Sequence, residues 1–307
     1  MTATARPQGP DLLSRIVCDP LNLRAYTVNS INTVREITGL HKTTPNATVA
    51  LGRTLTAAAL LSATLKPGSD QSLLLKIEGS GPIGEIHAQA DARGNIRGYA
   101  SNPKVDLTED IGDISFSRTI GAGFLTVRKD FGHGEPYSSV IPLQAGDLAI
   151  DIAYYLSVSE QVPSALILAL TLNREGAVTT SGGILIQTYP DTTEEVIQKI
   201  ENNINGMNPS LSESLRDGHD IHAVLADLFE SEPMHILDAQ PIRASFRCSK
   251  QVLGGVLSAM SLHDLIDMQT KENGAEITCT FCGRQYHFDA RELERIIQKK
   301  NRSSPAR

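Results

Sequence analysis

A chain of 307 residues, 40% apolar and 21% charged, can bury a substantial core and divide into two or more units. Its formal net charge of −7 argues against nucleic acid or an anionic membrane as main partner, because attraction to phosphate needs a basic face. Residues 1–10 hold no apolar run for a signal peptide, the longest apolar stretch (54–65) is too short to span a bilayer, and four cysteines are too few for a disulfide scaffold; a cytoplasmic, reducing setting is expected.

In chain order, Ile16-Val17 and residues 23–28 flank an Asp19-Pro20 turn and read as a hairpin. Cys18 in its first strand reads as a small buried hydrophobe. Residues 29–39 suit a helix. A longer helix follows Pro45, apolar nearly all round and stopped by Lys66-Pro67-Gly68, which points to burial against a sheet. From Ser72 the period becomes two: residues 73–78, 83–90 and 96–100, joined by short Gly-containing turns, form an antiparallel meander. Residues 114–119 and 123–130 continue as strands, 147–157 as a helix, and 165–172 with 181–188 as a last hairpin. The first domain, residues 1–190, is therefore expected to be α+β, an antiparallel sheet with packed helices.

Residues 191–232 differ in kind. They carry ten acidic residues against two basic ones, so this segment alone accounts for the charge imbalance. Thr192-x-x-Glu195 reads as a capping box, followed by Val196, Ile197, Ile200 and Ile204 on one helical face. A helix from Asp220 places Ile221, Val224, Leu225 and Leu228 at i, i+3, i+4 and i+7. Such thin amphipathic helices can cover apolar surface elsewhere but cannot form a core.

Residues 233–307 read as a small metal unit with a basic tail. Cys279 and Cys282, two residues apart and followed by Gly283, form a tight knuckle that aims both thiols at one ion. Cys248 lies far enough upstream for two short helices to return a third sulfur. Residues 275–278 and 286–288 read as strands flanking the knuckle, Ser261 and Asp264 as the cap of a helix, and Asp289-x-x-Glu292 as the start of the last one. Two coincidentally buried thiols are the bland alternative; Cys248, the glycine and the strand-like flanks favour zinc. A metal would supply much of the folding free energy of so small a unit, on the order of 10 kcal/mol or more.

With these residues in view, nearly the whole chain resembles the heat-shock protein 33 family of redox-regulated holdase chaperones. The resemblance rests on Gly98-Tyr99-Ala100-Ser101-Asn102-Pro103, Gly123-Phe124-Leu125-Thr126-Val127, Glu135-Pro136-Tyr137, Ala153-Tyr154-Tyr155, Ser159-Glu160-Gln161-Val162-Pro163-Ser164 and the knuckle. It implies one zinc held by a CxC and a CxxC pair, oxidation to one disulfide per pair, loss of zinc, unfolding of unit and linker, and capture of unfolding or oxidatively damaged clients, with a dimer on activation. Cys248, Cys279 and Cys282 match three of the four thiolates, and Phe246 stands where the first would be. By that resemblance only Cys279 and Cys282 can form an in-pair disulfide.

The fourth zinc position stays open among His235, His263, His287, water, or a weakened site; a weak or three-thiolate zinc ranks first. Three functions compete: an ATP-independent holdase under redox or heat control, a CxxC oxidoreductase or zinc hydrolase, and a non-switching zinc-knuckle interaction module. The chain has no phosphate loop, since Gly79, Gly81 and Gly84 join strands and open no helix, and its CxxC follows no βαβ pattern. A non-enzymatic holdase is the leading expectation.

Overall fold

The computed structural model describes residues 9–107, 114–144, 146–246 and 248–303. The signal-peptide reading of the N-terminus and the end of the basic tail fall mostly or wholly outside the described residues. The chain forms two compact units, Met1–Ser245 and Phe246–Arg307, each described by itself.

In the first unit, β1 (Leu12–Cys18) and β2 (Leu23–Asn29) pair antiparallel through one 3-10 turn, closed by Asn22 in the left-handed conformation. Helices α1 (Ile31–His41) and α2 (Pro45–Ser62) follow. The hydroxyls of Thr54 and Thr56 donate to the carbonyls of Ala50 (2.8 Å) and Gly52 (3.0 Å), so these two buried threonines of α2 are satisfied within the helix. The meander comprises β3 (Ser72–Gly79), β4 (Glu85–Asp91) and β5 (Asn95–Ala100), alternate residues buried.

Residues 114–119 depart from expectation. Phe116–Ile120 is a short helix, α3: the Ser115 hydroxyl accepts from the Arg118 amide, and Phe116, Thr119 and Ile120 are buried at i, i+3 and i+4, a helical period too short to distinguish from a strand in sequence. The expected elements resume with β6 (Gly123–Asp130), β7 (Tyr137–Pro142), Asp147-capped α4 (Leu148–Ser159), and the hairpin of β8 (Ser164–Leu172) and β9 (Val178–Thr188).

The acidic stretch forms α5 (Glu194–Asn205), α6 (Leu211–Arg216) and α7 (Ile221–Leu228). Thr192-x-x-Glu195 is not the capping box. Thr193 caps α5, whereas the Thr192 hydroxyl donates to the Asn22 carbonyl at 2.7 Å and so pins the entry of the segment to the β1–β2 turn. The reciprocal box lies instead on α6, which the sequence reading missed, between Ser210 and Glu213.

Residues 233–245 were expected in the metal unit, but they belong to the first. Strand β10 (His235–Pro241) pairs antiparallel with β1, and β11 (Arg243–Ala244) adds a short parallel pairing to β5. Backbone pairing and the Arg15–Asp238 ion pair at 3.0 Å hold β10, while Ile236 and Leu237 remain 54% and 66% exposed; a strand that buries neither face carries no alternation to read.

The first unit therefore has two sheets rather than one, with strand orders β10-β1-β2-β9-β8 and β11-β5-β4-β3-β6-β7. Helix α2 touches β8 and β9 of the first and β3, β4 and β5 of the second, which explains its all-round apolarity.

The second unit is α8 (Lys250–Ala259), α9 (Leu262–Thr270), the hairpin β12 (Gly274–Thr278) and β13 (Gln285–Asp289), and α10 (Ala290–Ser303). Ser261 caps α9 as expected, and Asp289 and Glu292 bond each other's backbone amides at the start of α10 (2.8 and 3.0 Å). Its core is small: Leu253, Leu257, Leu265, Phe288, Leu293 and Ile297 around Cys279 and Cys282.

Candidate metal centre and linker

The β12–β13 hairpin positions the knuckle. The Cys279 amide donates to the Arg284 carbonyl (2.9 Å) and the Gly283 amide to the Cys279 carbonyl (2.7 Å), a tight turn that needs the left-handed conformation of Gly283 (φ 63°). Cys248, just before α8, brings the third sulfur: the Sγ atoms of Cys248, Cys279 and Cys282 all lie within 4.8 Å of one another. Thiolates on one tetrahedral zinc at about 2.3 Å stand roughly 3.8 Å apart, so the cluster fits that ion with small adjustments. Tyr286 on β13 joins the two halves, its hydroxyl donating to the Cys248 carbonyl at 3.1 Å and lying 4.0 Å from Cys282 Sγ. Tyr286 was read only as a strand residue; its position four residues beyond Cys282 was the sole available signal.

The sulfurs are electrostatically unequal. Burial and the neighbouring Cys279 and Cys282 sulfurs push the Cys248 thiol up to about 12. Burial also works against the Cys279 thiolate, but hydrogen bonds from Cys248 and from the Cys282 and Phe281 amides outweigh it and hold its pKa below the ordinary value. These preferences favour Cys248 as the donor in its 3.1 Å contact with Cys279.

No histidine or carboxylate among the described residues joins the three sulfurs. His263 is 81% exposed beside Asp264 and Asp267, His235 is an exposed residue of β10, and the exposed His287 ring lies beside Gly274. Phe246 packs against the unit's apolar cluster, half-buried. Cys18 is buried in the first unit.

The second feature is the linker's apolar stripe. Ile221, Val224, Leu225 and Leu228 are all buried, together with Ile200, Leu211 and Phe229, in one cluster with Leu21 of the β1–β2 turn and with Ile16, Leu23, Ala25, Ala169, Ile184 and Ile186 of the five-stranded sheet. Gly182 on β9 permits close approach of β2 and α6: a Cβ there would lie 2.7 Å from the Val28 carbonyl oxygen and 3.1 Å from Leu215. Leu211 and Phe229 extend the stripe beyond its expected members. Burying each large apolar side chain favours docking by roughly 1.5–3 kcal/mol, and the acidic residues stay outward.

Fold and site together define a two-unit α+β protein with a C-terminal thiol cluster suited to a metal ion. Residues 11–289 match the family model described as Hsp33 protein. The chain is 39% identical to the 33 kDa chaperonin of Aquifex aeolicus, over 91% of this chain and 87% of that protein. Identity is also 39% to the 33 kDa chaperonin of Geobacter sp., over 94% and 97%. A crystal structure of the 33 kDa chaperonin (heat shock protein 33 homolog) of Thermotoga maritima superposes with a TM-score of 0.86 at 31% identity, covering 96% of this chain and all of that one. The chain belongs to the Hsp33 family. No helix among the described residues is long and apolar enough to cross a membrane.

Proposed function

We propose that this protein is an ATP-independent holdase of the cytoplasm that binds unfolding or oxidatively damaged proteins under oxidative and heat stress. The observation that carries the reading is the linker stripe: Ile221, Val224, Leu225 and Leu228 cover an apolar face of the first unit that is adhesive once bare. In this reading the first unit binds clients and pairs with a second copy on activation, the segment 191–232 is the cover, and the second unit is the sensor.

Cys248, Cys279 and Cys282 hold Zn²⁺, which when bound supplies folding free energy to a unit whose own core is small. The Cys279 thiolate attacks a peroxide oxygen, breaking the O–O bond and leaving a sulfenic acid and water; the Cys282 thiol then displaces a second water to close a disulfide. Two of the three donors are lost, the unit unfolds, and the linker is freed. Catalysis has no part in this reading.

The absence of a fourth sulfur at Phe246 favours one second reading: a holdase that heat activates, or that is constitutive, with weakened redox control. Zinc content and suppression of client aggregation, measured before and after peroxide with mild heating, separate the two. About one zinc per chain, lost as activity rises, supports the switch. Activity independent of zinc supports the second reading, and no activity in either state overturns both.

A further inference from the structure

A cavity of about 480 Å³ lies between α2, the β8–β9 hairpin and α6, and three arginines are among its lining residues: Arg53 from α2, Arg174 from the hairpin turn and Arg216 from α6. No carboxylate is among the described lining residues. Arg53 is three-quarters buried (26% exposed), its Nε is buried without a hydrogen-bond partner among the described residues, and its ion pair with Asp147 is a loose one at 3.8 Å, beyond hydrogen-bond distance. Arg174 has no ion pair among the described residues. Arg216 reaches only its neighbour Asp217 at 3.3 Å, an exposed pair of little consequence. Asn173 adds a side-chain amide whose oxygen is already taken by the Ala177 amide at 2.8 Å, leaving its NH₂ group to donate.

Three like charges around one cavity repel, and a buried guanidinium N–H without a partner is unfavourable. An anion resolves both. We infer that this cavity binds an inorganic tetrahedral oxyanion of the phosphate class, accepting hydrogen bonds from Arg53, Arg174 and Arg216 at once. Forked planar donors supplied by three elements suit such an anion. The lining has no aromatic ring to stack a base, which sets inorganic phosphate above a nucleotide. Arg53 lies on α2, Arg174 on the β8–β9 turn and Arg216 on α6 of the linker, so the bound anion bridges α6 to the hairpin and opposes linker release. That consequence rests on the proposed role of the linker; the binding does not.

Calorimetric titration of the full-length protein with sodium phosphate and sodium sulfate, against sodium chloride at equal ionic strength, tests the site. Saturable 1:1 binding of both oxyanions is expected, at least tenfold weaker in Arg216→Gln and in Arg174→Gln, whose exposed turn position spares the fold. Arg93→Gln, on a different turn, should bind like the parent. Absence of saturable heat, equal response to chloride, or unchanged binding in both cavity variants overturns the site. Limited proteolysis of residues 191–232 reads the bridge: phosphate should slow cleavage several-fold in the parent and not in Arg216→Gln. Binding without protection overturns the bridging role and leaves the site standing.

Discussion

Cys248 Sγ lies 3.1 Å from Cys279 Sγ across 31 positions of sequence, and the two sulfurs have opposite proton preferences, Cys248 held protonated and Cys279 favoured as thiolate. The thiolate is the reactive form, so Cys279 should be the first cysteine of the cluster to react. Metal-free protein given limiting alkylating agent is expected to label Cys279 several-fold faster than Cys248. After peroxide, peptide mapping should find Cys279 joined to Cys282 with Cys248 a free thiol; a dominant Cys248–Cys279 link would refute the in-pair assignment.

Zinc affinity should rise with pH. Without metal, the Cys248 thiol keeps its proton up to about pH 12, whereas a zinc ligand must be a thiolate, so binding releases at least that proton. The apparent association constant should increase about tenfold or more per pH unit near neutrality, and competition with a chromogenic chelator at pH 6, 7 and 8 measures it. The same chelator in excess should unfold residues 246–303 while leaving the first unit's circular dichroism intact.

Phe246→Cys restores the fourth thiolate that the resemblance implies. Zinc should bind at least about tenfold tighter, ~1.4 kcal/mol, than in the parent, while Phe246→Ala, which loses the same ring without adding a ligand, should show no gain. Equal affinities in all three would mean that position 246 does not face the metal.

Val224→Asp tests the cover. Val224 is 7% exposed within the cluster beneath α7, and a carboxylate there disfavours docking by several kcal/mol. Reduced, zinc-loaded Val224→Asp should suppress client aggregation without peroxide. A folded variant with the parent's low reduced activity would remove the linker from the mechanism.

Much of this was legible in order along the chain. The hairpin at Asp19-Pro20, the meander from Ser72 and the Ser261 cap each rest on contacts within a few residues of one another. The knuckle was legible for the same reason, because two thiols and a glycine within five positions fix their own geometry. Short or two-sided elements were not legible: α3 is five residues long, and β10 exposes both faces.

By itself the sequence determined the α+β class, the thiol pair, the apolar stripe of α7 and the phenylalanine at position 246, since each is a local pattern or a residue identity. Only the tertiary structure decided that β10 closes onto β1, that α2 is buried between two sheets, and that Thr192 reaches Asn22 instead of capping its own helix. It alone brought Tyr286 to the Cys248 carbonyl and three arginines from three elements to one cavity. These partners are tens to more than a hundred residues apart, and which edge, face or charge meets which is set by packing of the whole unit, a choice no local periodicity encodes.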